Sequence, residues 1–259
     1  MLKVIIMTQQ DRFFIPKNIQ KIIDQSEVLL VVNVDVKSSL QNKISDFIKW
    51  FGFFQVAKMG ILTVQRSFIG FLDEMFSYRL KNGLYGVEHI AGKYKIPYKI
   101  IHSSNSKEFI QEVKRLQPDI ILSFSAPEVI KEPLLSLPEY GILNVHGSYL
   151  PEYRGCMPSF WHLYNEEEYA GASVHFMSEK IDDGDIVIQE KVHIGDCNSV
   201  MEVIQKTKEK GGDLMVKAIQ KIESGDLQTK PNDTSVGKYF SWPNAEDARI
   251  FRARNKKLI

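Results

Sequence analysis

Short apolar runs alternating with helical repeats organise the first two thirds of the chain. LKVIIM (2–7) reads as a buried strand, followed by the polar turn TQQDRF and a helical pattern carrying Ile19, Ile22 and Ile23. EVLLVVNV (27–34), IPYKII (96–101), PDIILSFS (118–125) and ILNVH (142–146) repeat the strand pattern, and KEFIQEVKRL (107–116) repeats the helical one. This alternation predicts an α/β fold, a mostly parallel sheet with helices on both faces. Ligands of such sheets gather outside the carboxyl ends of the strands, where TQQDR, SFSAP and NVHGS fall.

The pattern changes downstream. GASVHFMSE (171–179) and DIVIQEKVHI (185–194) alternate in period two around KIDDG, which predicts two strands delivering a loop to the site. From Ser199 to Ile222, Val200, Val203, Ile204, Thr207, Gly211, Leu214, Met215, Ala218 and Ile222 recur at helical spacing, a long closing helix. One domain over 1–225 is expected, with 226–259 a short surface appendage ending in RARNKKLI. Residues 38–95 fit the alternation poorly: WFGFFQVAKMGILTVQRSFIGFLDEMF is long, aromatic and helix-like. Lys49, Lys58 and Arg66 interrupt it before the ~20 apolar residues that a membrane span needs. It is read as a helical insert packed on the sheet or in a homodimer interface, with a substrate-pocket wall and peripheral membrane contact as the alternatives.

Composition narrows the classes. The 259 residues carry 33 basic and 32 acidic side chains, a net charge of +1, so no overall footprint points to nucleic acid or an anionic membrane. Two cysteines, Cys156 and Cys197, do not make a disulfide framework or a Cys-rich metal site, and MLKVIIMTQQ is no secretory signal, so the cytoplasm is the expected compartment. No metal is expected, because His146, His162 and His175 lack a ligand spacing. No G-x-G-x-x-G follows the first strand, which argues against a nicotinamide enzyme.

The candidate chemistry lies in GILNVHGSYLPEYRG (141–155) and KIDDGDI (180–186). Asn144 and His146, two apart on a strand, project from one face, and the loop brings Asp182 or Asp183. An amide, an imidazole and a carboxylate suit the movement of a formyl group. An amine attacking a formamide carbon builds negative charge on oxygen, which Asn144 and His146 could hold. The proton passing from attacking to leaving nitrogen suits an imidazole beside a carboxylate.

The run NVHGSYLPEYRG with IDDGDI downstream resembles the folate-dependent formyltransferase family, whose pattern is Asn-x-His-x-Ser-Leu-Leu-Pro, then Arg-Gly and a later Asp-x-Gly loop. Tyr149 departs from the usual Leu. The resemblance covers about 1–225 and implies the family's Rossmann-like sheet, with Asn144, His146 and Asp182 as the catalytic three; the family's Asp precedes the Gly by two, which favours Asp182 over Asp183. It implies N10-formyltetrahydrofolate as donor, its pterin held mostly by backbone groups between Ser123, Phe124, Ser125, Ala126 and Pro127 on one side and Lys180, Ile181 and Asp182 on the other.

Members differ in what surrounds this core. The purine-pathway transformylase carries a Gly- and Asn-rich phosphate loop after the first strand, where MTQQDRFFIP stands here; the initiator-tRNA enzyme has a sizeable basic carboxy-terminal domain, against about 35 residues after Gly225; the hydrolytic relative has an amino-terminal regulatory domain. What remains resembles the sugar N-formyltransferases, acting on a nucleotide-linked amino-deoxy sugar of the kind built into surface polysaccharides. Gln9, Gln10, Asp11 and Arg12 are then the expected acceptor contacts, and Arg154 is expected to bind phosphate or fix its loop.

Overall fold

The computed structural model describes residues 1–36, 40–80, 83–125 and 127–259, with the backbone alone for 40–43. The strands are β1 (Lys3–Thr8), β2 (Glu27–Val34), β3 (Tyr98–Ile101), β4 (Ile120–Phe124), β5 (Ile142–His146), β6 (Arg154–Gly155), β7 (Tyr169–Phe176), β8 (Ile186–His193) and β9 (Tyr239–Phe240). The helices are α1 (Ile15–Ile23), α2 (Leu40–Phe51), α3 (Phe53–Met75), α4 (Val87–Lys93), α5 (Lys107–Leu116), α6 (Pro158–Tyr164), α7 (Val200–Glu223) and α8 (Ala245–Ala253). Among the described residues, seven strands form one sheet in the order β3-β2-β1-β4-β5-β7-β8, parallel through β5 and antiparallel at β7 and β8.

Both faces of the parallel part are covered, which is why its strands read as unbroken apolar runs rather than as alternation. Val4 and Ile6 of β1 face α1, α4 and α7, packing with Ile19, Ile90 and Leu214. Ile5 and Met7, on the opposite side of the same strand, pack with Phe109 and Val113 of α5. Ser106 caps α5 by accepting from the Phe109 N–H, and a Ser199–Glu202 capping box starts α7 where the periodicity begins. The chain leaves β1 toward β2 and re-enters on β1's other side at β4, so the crevice for ligands opens at the carboxyl ends of β1 and β4.

The insert turns away from the sheet. Trp50 and Phe51 of α2 are buried against α6 and α8, with Phe51 ring centroids 6.1 Å from Phe160 and 5.9 Å from Phe251. Gly52, at φ 85°, breaks the chain into α3, which lies against α4. Among the described residues no helix is long and apolar enough to cross a membrane.

Residues 226–259 are not the surface appendage expected from their polar composition. β9 pairs in parallel with β6, and α8 starts from an Asn244–Asp247 capping box. Its Phe251 is fully buried, stacked on Phe160 at 4.4 Å, and Trp242 stacks on Trp50 at 5.5 Å. The tail thus completes a second core beneath the insert, one that no local pattern announces because its partners lie some 90 to 200 positions away.

Phe251→Ala should therefore destabilise the protein by about 3–5 kcal/mol in urea unfolding, as for other core aromatic deletions. A change under about 0.5 kcal/mol, the usual surface value, would return the tail to the status of an appendage.

Candidate active site

Strand pairing assembles the site. In the antiparallel register of β5 with β7, Asn144 faces His175, so their side chains share one side of the sheet. Asn144 Nδ2 donates to His175 Nε2 at 3.2 Å, while His175 Nδ1–H donates to the Phe176 carbonyl at 2.8 Å. That pair of bonds selects the neutral Nδ1–H tautomer. Burial pushes the His175 pKa down, with the Asp182 charge opposing and the His146 charge reinforcing that shift. One Nδ2 hydrogen of Asn144 is left over, and its Oδ1, buried, has no partner.

The loop between β7 and β8 delivers the carboxylate. Gly184 lets it turn tightly, since a Cβ there would meet the Phe176 carbonyl oxygen at 2.0 Å. Asp182 sits at φ 48°, a left-handed conformation that short polar residues tolerate. Its Oδ2 accepts from the Gly155 N–H at 2.8 Å and lies 3.5 Å from His146 Nδ1; its Oδ1 lies 3.7 Å from His175 Nε2. His146 Nε2–H donates to the Tyr153 carbonyl at 2.8 Å. Asp183 points elsewhere, accepting from Thr234 Oγ1 at 3.0 Å. Asn144, His146 and Asp182 thus come together as the motif implied, joined by His175, which spacing alone did not single out.

The flanking segments fare unevenly. Ser123 and Phe124 are fully buried within β4, Phe124 in the core and its carbonyl held by Thr8 Oγ1 at 3.0 Å, so neither side chain reaches the cleft. Ser125 turns out of the sheet at φ 63°, and its carbonyl accepts from Gln9 Nε2 at 2.6 Å. Ala126 lies outside the described residues. Ile181 is 44% exposed, an apolar rim to the cleft, and Lys180 is exposed beside it. Gln9, Gln10 and Pro127 line a cavity of about 470 Å³ with Asn33, Asp35, Glu88 and Tyr98.

Asp11, expected as an acceptor contact, spends one carboxylate oxygen on its own backbone. Its Oδ1 accepts from the N–H groups of Phe13, Phe14 and Ile15 at 2.8, 2.7 and 3.0 Å, filling the anion site at the start of α1. Arg12 is committed to Glu88 at 2.7 Å and the Tyr85 carbonyl at 3.3 Å. Arg154 fixes its loop, with Nη2 donating to the Thr234 carbonyl at 3.4 Å.

Sequence reasoning missed Lys208. Periodicity counts it merely as a polar position of α7, yet its ammonium donates to Ser125 Oγ and feels the Asp11 charge, so it stands in the crevice between β1 and β4. Burial pushes its pKa down, a cost that a bound anion would relieve. Tyr153 and His162 form a second support: the rings stack at 4.1 Å and His162 Nδ1–H donates to the Pro158 carbonyl at 2.6 Å.

Residues 87–219, half of the chain, match the formyl transferase family. The chain belongs to that family. The match runs from the start of α4 into α7 and therefore includes Asn144, His146, His175, Asp182 and Lys208. The methionyl-tRNA formyltransferase of Fusobacterium nucleatum is 29% identical over 163 residues, covering 62% of this chain and 53% of the relative. The chain thus spans about half the length of the curated relatives it matches. In fold, this formyl transferase family member resembles an N-formyltransferase from Helicobacter canadensis (TM-score 0.59, 19% identity, 93% of this chain and 71% of that one). It also resembles glycinamide ribonucleotide transformylase 1 from Symbiobacterium toebii (TM-score 0.60, 15% identity, 90% and 95%).

Burial lowers the His162 pKa from 6.5 to about 4, so the native state keeps the ring neutral where the unfolded chain protonates it. The unfolded state then binds more protons, and this ring's contribution to stability, complete above pH 6.5, is lost as pH falls toward 4. His162→Gln should flatten part of the acid limb of urea midpoints plotted against pH. An unchanged limb would remove His162 as a source of acid sensitivity.

Proposed function

We propose that the chain transfers a formyl group from N10-formyltetrahydrofolate to the primary amine of a nucleotide-linked amino-deoxy sugar. The observation that carries the transfer chemistry is the interlocked set Asn144, His146, His175 and Asp182 at the carboxyl end of β5. Asn144 Nδ2, held by His175, presents its second hydrogen where negative charge develops on the formyl oxygen. The ring of His146, held by its Nε2–H on the Tyr153 carbonyl, turns Nδ1 toward Asp182. His146 and Asp182 carry the proton that the acceptor amine loses and the folate N10 gains, as the new C–N bond forms and the old one breaks. The donor fits the cleft between Ser125 and the Asp182 loop: exposed Ile181 offers an apolar surface to a flat pterin, and Asn144 Oδ1 is an unused acceptor.

Three features support the sugar. The amides and carboxylates lining the neighbouring cavity match hydroxyl and amino groups. Lys208 supplies a cation for a phosphate in the crevice. With Asp11 filling the α1 terminus, the loop after β1 offers no backbone phosphate cradle, which disfavours a ribonucleotide acceptor bound there. The Helicobacter neighbour is described in complex with folinic acid and dTDP-3-aminofucose.

The test is folate release from formyl-tetrahydrofolate with and without a panel of nucleotide-linked amino sugars. Sugar-dependent release is expected; release without any amine would indicate a hydrolase, and no release would end the enzyme reading. Asn144→Ala and His146→Ala should each lower turnover by two or more orders of magnitude, the usual cost of one oxyanion donor. Asp182→Asn, which keeps the left-handed turn, should lose comparably; a larger loss in Asp183→Asn would shift the acid by one position. Lys208→Met should raise the acceptor KM about tenfold or more with a smaller change in kcat. A KM unmoved by that substitution would take Lys208 out of acceptor binding.

A further inference from the structure

Helix α3 has two faces, and among the described residues only one packs against its own chain. On the inner face Arg66 donates to the carbonyls of Arg12 at 2.6 Å and Leu84 at 2.7 Å, Gly70 lies against Tyr85, and buried Asp73 accepts from His89 Nε2 at 3.0 Å. The outer face presents Phe54, Ile61, Val64, Phe68, Phe71 and Met75, each 57% exposed or more. With half-buried Ala57 these residues recur at alternating steps of three and four along all 23 residues of the helix. That 3.5-residue period is the narrow seam of a coiled coil, not the broader stripe of a helix seated on a globular core.

From this we infer that α3 is a dimerisation helix, its outer seam packing antiparallel against the same seam of a second copy of this chain about a two-fold axis. An antiparallel pair centred at Arg66 sets Ala57 opposite the partner's Met75, Ile61 opposite the partner's Phe71 and Val64 opposite the partner's Phe68. Each layer then joins an a to a d position and a smaller side chain to a larger one. Lys58 and Glu74, both exposed beside the seam, separate the two orientations. A parallel pair would bring Lys58 level with its copy and Glu74 with its copy, whereas the antiparallel one keeps like charges apart and opposes the helix dipoles. Gly60 is exposed within the helix, and a Cβ there would meet no described residue of its own chain within 4 Å. Such a residue weakens a lone helix but admits the close approach of another. Taking roughly 200 Å² for a whole aromatic side chain, the seam exposes on the order of 700 Å² per chain, which is what a stable interface needs from each partner. The polar side that an interfacial membrane helix would keep in water is here buried against its own chain.

Sedimentation of the full chain tests this directly. A dimer is expected at micromolar concentration, and Phe68→Glu with Phe71→Glu should raise the dissociation constant about a hundredfold, with the circular dichroism and melting curve kept. Gln65→Cys, close to the two-fold axis, should cross-link to its copy under mild oxidation, and Ile61→Cys should not. A parent chain that stays monomeric at tens of micromolar overturns the dimer. So does a monomer that floats with anionic lipid vesicles through the same phenylalanines, which would make the seam a membrane surface. Cross-linking through Ile61→Cys but not Gln65→Cys overturns the antiparallel pairing.

Discussion

One aspartate ties together the segments around Asn144 and His146. Asp182 accepts from Gly155 of β6, faces His146 on β5 and His175 on β7, and through its own backbone carbonyl accepts from Asn232 of the tail at 2.8 Å. These partners come from segments far apart in sequence, so the loop can hold this geometry only when the sheet, the Gly155 turn and the tail are all in place. Its left-handed backbone is stable because four surrounding contacts over-determine it. Low dielectric around the cluster strengthens the hydrogen bonds that Asp182 accepts from Gly155 and Asn232 and makes an unpaired member costly.

The same constraint explains the tail. Gly155 can donate to Asp182 because β6 is pinned by β9, where the Phe240 carbonyl comes within 2.2 Å of a Cβ built on Gly155. β9 in turn leads into α8, which is buried against α2 and α6. The second core therefore supports the Asp182 loop as well as the insert. On the other side, Arg66 of α3 grips the Arg12 carbonyl, so the insert also steadies the segment after β1 whose Gln9 and Gln10 line the neighbouring cavity.

Much of this was legible in sequence because it is local. The 107–116 helix and the 27–34 and 142–146 strands lie where periodicity sets them, and Asn144 and His146 share a face because strands alternate. What was not legible depends on pairing across the fold. His175 enters the site only through the antiparallel register of β5 with β7, and Lys208 only through the packing of α7 over the β1–β4 crevice. The Phe124 side chain points into the core, which leaves its main chain as the part that faces the strand end. The loop residues Asp11 and Arg12 looked free in sequence, yet a helix start and Glu88 claim them.

The central claim is that the Asn144–His175–Asp182–His146 set delivers a formyl group to an amine rather than to water. Following a ¹³C-labelled formyl group by NMR, from formyl-tetrahydrofolate in the presence of a dTDP-linked amino sugar, reads that choice directly. The account predicts loss of the folate formyl resonance with matched growth of a formamide carbon coupled to the sugar nitrogen. Appearance of labelled formate with no sugar formamide would contradict it.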